Sequence, residues 1–178
     1  MRLLAALLGV IMILVGAAPA EAAASVGRSF QLAKTEGVDI TVPATVNLGT
    51  GFTGGVLTGP MGRVEVTDVR GPVNPNTWVA TVSATVFITG GGGAQRTISN
   101  GSVFYWSGPA VQSTGGGTLV PGQLTQAQVV ALNVTREAFR KTSGNGNNRV
   151  AWNPSLRIVV PNGIIAGTYT GTITRSVA

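Results

Sequence analysis

Acidic side chains are the first place to look for catalysis in this chain, because it contains neither histidine nor cysteine. Without imidazole there is no commonest general base, no nitrogen metal ligand and no Ser-His-Asp triad. Without a thiol there are no disulfides, no lipid-anchoring cysteine and no thiol chemistry. Beyond residue 22 the acids are Glu36, Asp39, Glu65, Asp68 and Glu137. A glycoside-hydrolysing pair must face across a cleft, whereas Glu65 and Asp68 have opposite parity on one expected strand. Calcium would find Asp39, Asp68 and backbone carbonyls but no Asp-rich loop. The run Gly90 to Gly93 leads into Ala94-Gln95-Arg96, not into the Gly-Lys-Ser/Thr and helix that cradle a phosphate. These residues point away from an enzyme and call for no cofactor or metal.

Binding chemistry fits them better. Twelve basic residues against six acidic ones give a net charge of +6, a field that attracts anionic polymers, although it equally describes a merely soluble cationic surface. Only Arg136, Arg140 and Lys141 cluster. Among the aromatics, Trp106 beside Tyr105 precedes Gly108-Pro109 at an expected strand end, and is the candidate for an exposed face. Phe104 shares its parity, which fits a core position as well. No nucleic-acid recognition motif is present. Asn100-Gly101-Ser102 and Asn133-Val134-Thr135 fit the glycosylation sequon, a pattern too short to carry a conclusion.

The start of the chain predicts a compartment. Arg2 is a positive n-region, residues 3–15 an apolar h-region, and Pro19 with Ala18, Ala20 and Ala22 offers small-residue cleavage sites; together they read as an export signal. A signal-peptide helix over residues 1–22, cleaved after Ala20 or Ala22, is expected. An uncleaved anchor is the competing reading, since the apolar stretch is near the spanning minimum. No later segment is long and apolar enough to span, so no membrane span is expected after cleavage.

The elements that position these residues are expected to be strands. The chain has 178 residues, is 44% hydrophobic and only 10% charged, and holds 26 glycines, which suits one domain of short strands and tight turns. From Trp78 the even positions through Ala80, Val82, Ala84, Val86 and Ile88 are apolar against Thr81, Ser83 and Thr85. Val150, Trp152, Pro154, Leu156, Ile158 and Val160 repeat the pattern, with period 2 in both. Pro154 cannot donate to a ladder, so that stretch is an edge strand or breaks at Asn153-Pro154. Further strands are predicted over 38–42, 45–48, 62–69, 97–107, 129–135 and 168–177, with glycine-rich loops at 49–55, 90–93, 113–117 and 143–148. The expectation is an all-β, antiparallel β-sandwich of about eight or nine short strands over 38–178. Residues 23–37 are read as a linker or frayed first strand.

One sequence pattern goes further. Val66-Thr67-Asp68-Val69-Arg70-Gly71 followed by Trp78-Val79-Ala80, and Trp152 followed by Leu156 and Pro161, resemble the two tryptophan signatures of the WxL surface domain of Gram-positive bacteria, with Ala80 in place of the leucine. With its Ala/Gly-rich export signal, the chain is similar to a divergent, actinobacterial-type WxL-like secreted protein. The resemblance implies a non-enzymatic, cell-wall-associated module that binds peptidoglycan or an anionic wall polymer, or a surface-assembly subunit that binds another surface protein. Asp68, Arg70, Gly71, Trp78, Trp152 and Pro161 are its signature residues. Trp78 and Trp152 are ligand platforms on that association, but their parity places both in the core. Asp68 and Arg70 are either a recognition pair or a turn-fixing set, in which the carboxylate caps backbone N–H groups and Arg70 packs over the loop.

Overall fold

The computed structural model describes residues 5–16, 30–31, 37–73, 76–144 and 146–178, the first two segments through their backbone. The expected cleavage site and nearly all of the expected linker over 23–37 lie outside the described residues. The described chain is all-β. In order, its strands are β1 (Ala5–Gly16), β2 (Phe30–Gln31), β3 (Val38–Thr41), β4 (Thr45–Phe52), β5 (Val56–Pro60), β6 (Val64–Asp68), β7 (Trp78–Ala84), β8 (Phe87–Ile88) and β9 (Thr97–Ile98). There follow β10 (Val103–Trp106), β11 (Ala110–Thr114), β12 (Leu119–Pro121), β13 (Val130–Ala131), β14 (Arg136–Lys141), β15 (Asn148–Trp152), β16 (Ser155–Val159) and β17 (Gly167–Val177).

One sheet runs β12-β14-β7-β17-β1-β2, with β4 also on β1 and the short β8 and β9 beside β17. All its pairings are antiparallel except that of β4 with β1. Two smaller antiparallel sheets, β13-β10-β16-β5 and β11-β15-β6-β3, form the opposite side. They are joined through the chain: β5 leads into β6 and β15 into β16, so β15-β6 and β16-β5 are two halves of one long ribbon. The ribbon is interrupted at Asn153-Pro154, where the proline has no N–H to give. There the Met61 N–H donates to the Pro154 carbonyl at 2.8 Å, bridging the two halves.

Hydrophobic burial unites the two sides in a sandwich-like arrangement. Val82, Phe139, Tyr169 and Ile173 from the large sheet and Val66, Tyr105, Trp152 and Ile158 from the small ones share one core. Phe139 and Trp152 stack across the interface with ring centroids 4.8 Å apart. Val150, Trp152, Pro154, Leu156, Ile158 and Val160 are all buried, so the predicted parity survives the break.

Four expectations need correction. The leader is not a helix: Ala5–Gly16 is a strand. An uninterrupted apolar run carries no period to separate buried helix from buried strand, and here β17 and β4 supply its backbone with partners. The strands outnumber the eight or nine expected, because several predicted strands are split and others were passed over. Residues 97–107 divide into β9, a 3-10 turn and β10, and β4 runs through Gly49 and Gly51. The predicted strand over 129–135 shrinks to β13, while β14 follows it unforeseen. The parity of β7 holds to Val82 and then slips. Thr85 bonds Thr172 through both N–H and hydroxyl, leaving Phe87 buried and Val86 and Ile88 exposed.

Candidate functional site

The residues that resemble the first tryptophan signature converge in space on a buried polar knot. β6 ends on Asp68, whose fully buried carboxylate accepts from the Arg70 N–H at 3.1 Å, the Arg70 side chain at 2.9 and 2.8 Å, and Asn148 Nδ2 at 3.1 Å. Arg70 also donates to Asn76 Oδ1 at 2.8 Å and the Thr77 carbonyl at 2.9 Å, fixing the loop that delivers Trp78. Trp78 Nε1 donates to Asn148 Oδ1 at 3.0 Å. Gly71, at φ 75°, turns the chain away, and its N–H is held by Asn147 Oδ1 at 2.9 Å. Positive φ favours glycine there.

Asp68 and Arg70 thus form a turn-fixing set. Burial pushes the Asp68 carboxyl up, but hydrogen bonds from Arg70 and Asn148 and the charge of Arg70 outweigh it and hold the carboxyl below its usual range. Arg70 is pushed up in return, chiefly by its bond to Asp68.

Both signature tryptophans are core residues, Trp78 at 1% and Trp152 at 0% exposure. Trp152 Nε1 reaches the Tyr105 hydroxyl at 3.4 Å. Pro161 lends its carbonyl to the Gly54 N–H at 3.2 Å.

The expected basic cluster is taken apart by the pleat. Arg140 is exposed beside Glu137 at 3.4 Å, and Arg136 spans to the Ala131 carbonyl at 2.9 Å. Lys141 points the other way, opposite Trp78 in the ladder, and is 1% exposed with no hydrogen-bond partner for Nζ among the described residues. Burial lowers the Lys141 pKa, nearby Asp68 opposes this, and Arg70 adds to it. Lys141 therefore cannot meet a surface polymer.

Tyr105 is likewise buried, with its pKa raised by burial. Its neighbours on β10, Phe104 and Trp106, lie on the outer face, both half-buried. Across the ladder Phe104 faces Arg157 and Trp106 faces Ser155, and Arg157 Cζ stands 5.9 Å from the Phe104 ring centroid. Thr58 and Pro60 of β5 continue these rows. The result is an outward aromatic strip with a guanidinium set in it, on a sheet whose opposite face is core. Parity alone could place Phe104 and Trp106 together, but not choose their side.

Asn148, Asn76 and Arg157 were passed over in the sequence because an asparagine in a Gly/Asn-rich loop and a lone strand arginine read as solvent-exposed. A further polar group lies on the outer face of the β15-β6 pair, where Glu65 is clamped between Arg149, at 2.6 Å, and Arg63, at 2.9 Å. Burial raises the Glu65 pKa, and bonds from the two arginines overcome that and lower it. Gly92 to Arg96 and Ile165 line a shallow, open depression. Among the described residues no group of three or more acidic side chains is placed to hold a metal, and no helix is long and apolar enough to cross a membrane. Set against family models, curated proteins and solved structures, the chain matches none.

Proposed function

We propose that this protein is an exported, non-enzymatic surface module of WxL-like sandwich type, which associates noncovalently with the cell wall through peptidoglycan or an anionic wall polymer. The observation that carries this reading is the outer face of β10 and β16. There Phe104 and Trp106 offer flat apolar surfaces, and Arg157 of β16 stands opposite Phe104. Aromatic faces stack on the apolar faces of sugar rings, while a guanidinium pairs with carboxylate or phosphate. Arg136, bonded to the Ala131 carbonyl on the neighbouring β13, adds a second cation at the rim.

Two further features support the reading. Of the residues of the resemblance, Asp68, Arg70 and Trp78 are tied together through Asn148 and Trp152 stacks on Phe139 across the sheets, so they serve the fold and leave the outer faces for recognition. The two acids best placed for chemistry are committed elsewhere, Asp68 to Arg70 and Glu65 to its two arginines.

The test is a pulldown on purified walls at low and high salt. Stacking with one or two ion pairs predicts retention that falls but persists as the Debye length shrinks from about 10 Å at 0.1 M to about 3 Å at 1 M. Trp106→Ala should weaken wall affinity about tenfold. Salt-insensitive retention rejects the electrostatic contribution and favours a stacked-sugar or protein partner, whereas retention only when a second surface protein is supplied overturns wall binding in favour of an assembly subunit.

A further inference from the structure

The central sheet contains a place that is filled by a segment the export reading removes. β1 runs in register along β17 from Ala5↔Val177 to Val15↔Gly167, and on its other side runs parallel to β4 from Val10↔Thr45 to Gly16↔Phe52. Among the described strands β4 has no other ladder partner. Processing after Ala20 or Ala22 would take all of β1 away. It would leave the outer edge of β17, eleven residues long, and the edge of β4 facing an empty strand position. Unpaired backbone edges of that length are templates for strand addition.

A second observation lies at the same place. Arg175 of β17 is 2% exposed and points into the core. Its Nη2 reaches Met61 Sδ at 3.1 Å and its guanidinium interacts with the buried Tyr105 hydroxyl, but its Nε has no partner and no carboxylate pairs with it among the described residues. A buried cation without a counter-charge is costly, and the cost falls when a carboxylate meets it. The ladder position directly opposite Arg175 is Leu7. Leucine is a residue type with no carboxylate to offer a guanidinium.

We infer that the groove between β17 and β4 is a strand-acceptor site for an extended segment of another protein, apolar along its length and carrying one carboxylate opposite Arg175. This rests on the export reading above and goes beyond wall binding. The present occupant shows the accepted chemistry: AALLGVIMILVG, uncharged and aliphatic. Residues 23–36 hold Arg28, Lys34 and Glu36 and no comparable apolar run, and a second processed copy would be equally without one. The fitting donor is therefore a different chain.

The test uses protein secreted from cells expressing the full chain, with intact mass establishing what was removed. Two peptides are titrated by fluorescence anisotropy: residues 5–16 with a solubilising oligolysine tail, and the same peptide carrying Leu7→Glu. Both should bind and slow hydrogen exchange across residues 167–177, the Leu7→Glu peptide at least tenfold more tightly. That preference should vanish in Arg175→Met and partly survive in Arg175→Lys. Hydrogen exchange in the unmodified protein keeps the result readable if the variants fold poorly. Retention of residues 1–22 overturns this inference together with the export reading. A processed protein that binds neither peptide, binds both equally, or already protects both edges of β17 as monomer or dimer overturns the inference alone.

Discussion

The indole N–H of Trp78 and the side-chain carbonyl of Asn148 meet at 3.0 Å, 70 residues apart in sequence, and tie the large sheet to the β11-β15-β6-β3 sheet. Asn148 passes the connection to Asp68 through Nδ2, so a single side chain links Asp68 and Trp78 of the first tryptophan signature. Asn148→Ala should leave the buried Trp78 N–H and one Asp68 lone pair unsatisfied, a loss of about 2 kcal/mol or more. Denaturant unfolding with an unchanged slope checks it, and a variant within experimental error of the parent would show the link to be incidental.

Trp78→Ala and Trp152→Ala should each cost about 3 to 5 kcal/mol, through lost transfer energy and the cavity left behind. That is a large share of the roughly 5 to 15 kcal/mol by which such domains are stable. Thermal melting should fall markedly for both, with binding lost only where the protein unfolds.

Trp106→Ala should behave in the opposite way. On the outer face its removal leaves the core intact, so the melting temperature should hardly move while wall affinity drops about tenfold, equivalent to about 1.4 kcal/mol. A matching fall in melting temperature would place Trp106 in the fold and not in recognition.

Lys141 offers a stabilising substitution. Burial lowers its folded pKa, so the charged form that dominates below the unfolded value, about 10.4, is the one the fold disfavours. Its contribution to stability therefore improves as pH rises through the folded pKa toward the unfolded one. Lys141→Met keeps the chain length and removes the charge, and should raise the melting temperature at pH 7 and flatten the alkaline part of the stability profile.

Acid should act through Asp68 in the reverse sense. Its folded pKa is depressed, so its stabilisation is complete above the unfolded value of about 3.9 and is lost as pH falls through the folded one. Glu65, also depressed, contributes to the same acid limb. Asp68→Asn should be less stable at neutral pH and lose less on going from pH 5 to pH 2. Parallel profiles for parent and variant would remove Asp68 as the source.

What could be read in advance followed the physics of period 2. The alternation around Trp78 and Trp152 reports burial directly, and both residues are where it put them. The break at Pro154 was legible because a missing N–H is a property of one residue. What could not be read depended on pairing across the chain. β14 has a bulge between Glu137 and Phe139 that buries adjacent Ala138 and Phe139 and turns Lys141 inward, so three nearby cations looked like a patch and are not. β10 presents aromatics on both faces, and only its packing over Trp152 shows that Tyr105 is the inner one. The leader lacks any alternation, so nothing in its sequence distinguished strand from helix.

The position of β17 bears on when this chain can fold. The last strand to be made sits between β7 and β1, at the middle of the large sheet, and supplies Tyr169, Ile173 and Val177 to the core. Neither neighbour can be completed until the final residues arrive. Contacts of such long sequence separation make folding slow, and here they also make it late. Without those residues β7 keeps only β14 beside it in the large sheet and the core lacks three of its buried side chains. Truncation before Gly167 should leave a chain that never closes its sheet.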